Sequence, residues 1–81
     1  MNRMQDDEIV RMANQIAQFF AVYPEEDAVE GIREHLVKFW PPSMRKDLLV
    51  VVNGLVPSAV PLHPLVIKAA AQLRPSGRDD G

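Results

Sequence analysis

The stretch "PPSMRKDLLVVVNG", Pro41 to Gly54, decides the fold. Its apolar run Leu48–Val52 ends in three valines, and β-branched residues suit a strand as readily as a buried helix. A strand needs a partner to take its backbone groups, and nothing else in the chain reads as one. The helical reading has its own punctuation. Proline or Ser43 opens the segment, and Asn53-Gly54 closes it. The spacing therefore predicts a helix over 42–53, with Met44, Leu48, Val51, Val52 and Leu55 on one face. Leu49 and Val50 fall off that face. A helix apolar almost all round suits a central position or a covering partner.

Working outward, Trp40-Pro41-Pro42 forces a break on the N-terminal side. Before it, residues 24–39 repeat as a helix opened by Pro24 and the acidic run Glu25, Glu26, Asp27, which favours the positive end of the helix dipole. Ala28, Ile32, His35 and Phe39 align along it, and Val29, Leu36 and Trp40 widen that side. Gly31 weakens this helix by about 1 kcal/mol relative to alanine unless a neighbour packs close against it.

Residues 6–22 form another helical pattern, capped by Asp6 or Asp7. Ile9, Met12, Ala13, Ile16, Phe19 and Phe20 span an arc of about 120°, with Val10, Ala17 and Ala21 as a shoulder of small residues and Asn14 beside them. After Gly54 comes a proline-bearing connector, then a shorter helix over 64–73 in which Leu65, Ala69 and Leu73 repeat every four residues. His63 stands where it can cap that helix. The expected architecture is all-α: a small bundle of three helices plus a short C-terminal fourth. One helical domain covers 6–74, flanked by a flexible start over 1–5 and a flexible tail over 75–81.

Composition narrows the function. The chain has 81 residues, enough for one domain, and a net charge of −2. Residues 1–40 hold four Lys/Arg against eight Asp/Glu, so no basic footprint for nucleic acid is present there. Arg45 and Lys46 beside Trp40 are too few to make one. The absence of Cys removes disulfides, thiolate metal sites and a cysteine nucleophile, and favours a reducing compartment. No apolar run approaches the ~20 residues of a membrane span, and the first residues lack a signal-peptide core. A cytoplasmic protein is expected.

Catalytic constellations are missing from the sequence. His35 and His63 stand in no metal-ligand spacing, and Ser43, Ser58 and Ser76 all fall in proline-rich turns with no base in readable reach. The four glycines are scattered and form no phosphate loop. What stands out is apolar surface in excess of what three short helices need to bury, rich in Phe, Trp, Met and Arg, the types enriched at interface cores. A binding module is the reading this favours.

Two stretches carry a more specific resemblance: "IVRMANQIAQFF" (Ile9–Phe20) and "HLVKFWPPSMRKDLL" (His35–Leu49), followed by "VPLHPLVIKAAAQL" (Val60–Leu73). In this order and in so short a chain they resemble the delta subunit of the soluble, multi-subunit NAD-dependent formate dehydrogenases, over about Ile9 to Leu73.

The resemblance implies a non-catalytic accessory subunit that binds the catalytic alpha subunit and supports assembly, stability or insertion of the metal–pterin cofactor. The partner complex is expected to carry a molybdenum or tungsten pterin, iron–sulfur clusters, FMN and NAD, none bound by this chain. No catalytic residue carries over. Phe19, Phe20, Trp40, Met44 and Arg45 are expected in or beside the contact with the alpha subunit, with Asn14 and Gln15 as polar specificity groups. Two rivals remain at this point: a transient assembly chaperone, and an unrelated homo-oligomeric helical module.

Overall fold

A computed structural model describes residues 4–56 and 58–73. It holds four helices: α1 (Met4–Phe20), α2 (Glu25–Phe39), α3 (Pro42–Val52) and α4 (Pro64–Ala71). Among the described residues there is no strand, so the valine run is helical. Its end shows why. Gly54 takes a positive φ of 78°, which only glycine adopts without strain. Its N–H donates to the Val51 carbonyl, and the Leu55 N–H reaches back to the Val50 carbonyl at 3.0 Å. This paired closure satisfies carbonyls that the helix end would otherwise leave open.

Helix boundaries shift modestly from those the sequence predicts. α1 begins at Met4, two residues before the predicted start at Asp6. It stops at Phe20, two residues before Val22. α4 ends at Ala71. The expected flexible tail over 75–81, and residues 1–3 of the expected flexible start, lie outside the described residues.

Every pair of helices is in contact, and α2 meets α1 and α4 along the longest seams. The core joins Ile9, Ala13 and Ala17 of α1 to Val29, Ile32 and Leu36 of α2, Trp40 of the elbow, Leu48 of α3, and Val66 and Ala69 of α4. Two sequence expectations are corrected here. The buried side of α1 runs through Ile9, Val10, Ala13 and Ala17, so the small-residue shoulder forms part of its centre. At 100° per residue the helix is turned about 70° from the face that bulk hydrophobicity marks. Alanines let neighbouring helices approach closely, while Met12 and Phe19 are left outside.

The second correction concerns α3, which is not central. Only Leu48 and Val51 are buried, and Met44, Leu49, Val50 and Val52 are half-exposed. Leu55 leaves the helical face altogether, because the chain has already turned at Gly54.

The connector into α4 is held by α1 at two points that the periodicity did not reveal. The Asp7 carboxylate accepts from the Ala59 N–H at 3.0 Å and from the Ser58 hydroxyl at 3.3 Å. Two turns later the Asn14 side chain donates to the Pro61 carbonyl at 2.8 Å and accepts from the His63 N–H at 2.9 Å. His63 then caps α4 as expected, its Nδ1 accepting from the Leu65 N–H at 3.0 Å.

Candidate partner interface

The end of α1 and the adjoining side of α2 form an aromatic face. Phe19 and Phe20 close α1 edge-to-face, with centroids 5.0 Å apart, and Tyr23 continues the row 6.1 Å beyond Phe20. On α2, the His35 ring lies 4.8 Å from that of Phe39, tilted by 43°. Between the two rows lies an open cleft of about 360 Å³, lined by Gln15, Ile16, Phe19, Phe20 and His35. Phe19 is 68% exposed and Phe39 70%. Helical spacing explains the placement. With Ala13 and Ala17 turned inward, Met12 and Phe19 are carried to the solvent side of α1. Phe39 closes α2, where no neighbouring helix covers it.

The seven residues singled out from the sequence divide into two groups. Gln15, Phe19 and Phe20 belong to this face, Gln15 exposed and Phe20 half-buried. The other four are engaged within the chain. Trp40 is 6% exposed and part of the core, and Met44 packs against that core. Both ends of the Asn14 carboxamide are committed to the connector. Arg45 Nη1 donates to the carbonyls of Trp40 at 2.7 Å, Val37 at 3.2 Å and Leu36 at 3.4 Å.

Arg45 thus covers the C-terminal end of α2, where open carbonyls and the negative end of the dipole favour a cation. The double proline starts α3 in the geometry that points Arg45 back at α2. Replacing Arg45 by Met keeps most of the stem and removes the donors. The expected loss is about 1 kcal/mol, seen as a lower urea midpoint with unchanged slope. An unchanged midpoint would show that water serves those carbonyls equally well.

His35 and Phe39 are interface candidates that hydrophobic patterning assigned to the buried side of α2. Their signal in the sequence is positional: a large aromatic in the last turn of a helix, just before a proline elbow, has few neighbours to cover it.

The opposite end of α2 is polar. Glu25 pairs with Lys68 of α4, and Arg33 pairs with Glu30 at 2.6 Å. The hydrogen bond to Glu30 is the main reason the Arg33 guanidinium is held above its ordinary value. Both pairs are substantially exposed, so they add little stability. Among the described residues no three His, Asp or Glu side chains converge to hold a metal ion. The chain has no Cys to supply the thiolates that ordinarily hold an iron–sulfur cluster. No helix of the described residues is long and apolar enough to cross a membrane.

Fold and surface together define a small all-α module with an aromatic cleft that no Asp, Glu, Lys or Arg lines. Comparison with protein families makes the class specific: residues 8–70 match the model of the NADH-dependent formate dehydrogenase delta subunit, FdsD. The chain belongs to the FdsD family. That span runs from the first turns of α1 to Ala70 in α4, so it contains both rows of the aromatic face. Neither a search of curated proteins nor one of solved structures found a match to the chain.

Proposed function

We propose that this chain is a non-catalytic accessory subunit that docks on the catalytic alpha subunit of a cytoplasmic NAD-dependent formate dehydrogenase. The contact is made by the aromatic face of Gln15, Phe19, Phe20, His35 and Phe39. Trp40, Met44, Arg45 and Asn14 hold the frame behind it. In this role the chain supports assembly and stability of the complex, or insertion of the metal–pterin cofactor. The molybdenum or tungsten pterin, the iron–sulfur clusters, FMN and NAD belong to the partner subunits.

The observation that carries this reading is one open cleft lined by the exposed Phe19 and by His35, whose ring lies against the exposed Phe39, inside the segment that matches the family. The core is complete without them. Leaving large aromatics in water forfeits burial worth roughly 1.5–3 kcal/mol per ring, and such clusters are the usual anchors of protein interfaces.

Two measurements test the proposal. A tagged chain recovered from its own cell extract is expected to bring down the alpha subunit in fixed ratio. Phe19→Ala is expected to lower affinity for the purified alpha subunit about tenfold, the effect of removing one interface aromatic. Its thermal midpoint should stay near that of the wild type. Recovery of the chain without the alpha subunit, or wild-type affinity of the Phe19 and Phe39 variants together, would reject this reading. An active complex purified without the chain would replace it with a transient assembly factor.

A further inference from the structure

Gly31 stands in the middle of α2, where glycine is a poor helix former. Neither a cap nor a positive φ requires it there, since Gly54 alone among the described residues has one. What occupies the space is the ring of Phe20. A Cβ on Gly31 would lie 2.5 Å and 2.6 Å from two carbons of that ring and 3.0 Å from a third. Carbon atoms in favourable contact stand about 3.5–4.0 Å apart, so alanine and the present ring position exclude one another.

The ring has few other places to go. Phe20 is the last residue of α1, and its carbonyl accepts from the Tyr23 N–H at 3.0 Å, which fixes the backbone turn beneath it. Phe19 stands edge-on to it at 5.0 Å, and Tyr23 lies at 6.1 Å. Ile16 and His35, on its remaining side, line the cleft. A ring displaced from Gly31 moves into that cleft or out toward solvent, and the cleft changes shape in either case.

We propose that Gly31 is a positioning residue for partner recognition: it seats the Phe20 ring so that the ring forms one wall of the aromatic cleft. The role rests on the docking reading above. Gly31 touches no partner itself. It accepts a weaker helix in exchange for a pre-set ring, which removes part of the ordering cost of binding.

The test is a cycle of Gly31→Ala, Phe20→Ala and the double variant. It is read by thermal unfolding, by nuclear Overhauser contacts between the Gly31 α-protons and the Phe20 ring in the wild type, and by affinity for the purified alpha subunit. Gly31→Ala is expected to keep its helical content and thermal midpoint while losing about tenfold in affinity, as for displacement of one interface aromatic. The double variant, in which the obstructing ring is gone, is expected to bind no more weakly than Phe20→Ala alone, because the two changes act through one contact.

Wild-type affinity in Gly31→Ala, with Phe20→Ala weakened, would overturn the role of Gly31 and leave the docking face intact. Wild-type affinity in Phe20→Ala would also overturn the role of Gly31, while the docking reading stands or falls on the Phe19 and Phe39 variants. Unfolding of Gly31→Ala, rescued in the double variant, would also overturn the proposal, since the seat would then serve the fold and not recognition.

Discussion

Trp40→Ala is expected to lose about 3–5 kcal/mol of stability, the cost of deleting a large buried aromatic. A domain of this size is stable by only about 4–12 kcal/mol in total, so the variant is expected to be partly unfolded at 37 °C. The structural reason is specific. The indole packs among Ile32, Leu36, Leu48 and the other core side chains at the corner between α2 and α3, and is 6% exposed. The same residue closes α2 through its backbone, its N–H reaching the Leu36 carbonyl at 3.1 Å.

Wild-type unfolding can be followed by fluorescence of this single Trp, but the variant must be followed by circular dichroism in urea. Reduced recovery with the alpha subunit would then follow from loss of the folded form. A Trp40→Ala chain with a wild-type midpoint and weakened binding would contradict the core assignment and place the indole in the interface instead.

Asn14→Ala is expected to cost about 2 kcal/mol, from two hydrogen bonds each worth about 1 kcal/mol. For a domain this small that corresponds to a fall of about 8–16 °C in thermal midpoint. The carboxamide is the one group that holds both Pro61 and His63, and His63 must be held for its imidazole to cap α4. Asn14→Asp separates the two bonds. A carboxylate still accepts from the His63 N–H, but it sets an oxygen against the Pro61 carbonyl at the 2.8 Å now spanned by a donor. It is therefore expected to be no better than alanine.

Asp7→Asn retains an acceptor for Ser58 and Ala59 and is expected to be mild by comparison. On the helical wheel Asn14 lies far from Phe19, so under the proposed docking the folded fraction of the Asn14 variants should keep the affinity of the wild type. A midpoint shift under about 2 °C for Asn14→Ala would show that the strap between α1 and the connector carries little of the fold.

Much of this molecule is legible without coordinates because its local signals agree with one another. Prolines at 24, 41, 42 and 64 and the Asn53-Gly54 stop divide the chain where the helices in fact divide. The conflict at Gly31 was legible too, as a glycine that only a close neighbour would justify, but the neighbour's identity was not. The ring of Phe20 supplies it. The candidate site was half legible. Phe19 and Phe20 are legible as part of a wide apolar face and Gln15 as a polar group beside the expected contact, whereas Trp40 and Arg45 are of interface type and are used internally. Residue type alone does not distinguish an anchor for a partner from an anchor for the core.

By itself the sequence determined that the chain is helical, where the breaks between helices fall, and to which family it belongs, since these rest on neighbours along the chain and on the order of short motifs. Only the tertiary structure decided which side of each helix faces inward. That choice depends on the closeness of approach that Ala13, Ala17 and Gly31 permit to α1 and α2, not on summed hydrophobicity. It turned Phe19 and Phe39 outward, drew Trp40 in, and spent the polar ends of Asp7, Asn14 and Arg45 on segments 5–52 residues distant in sequence. Hydrogen bonds of that reach have no periodic trace, because they depend on the path of the folded chain and not on the helix that carries the side chain.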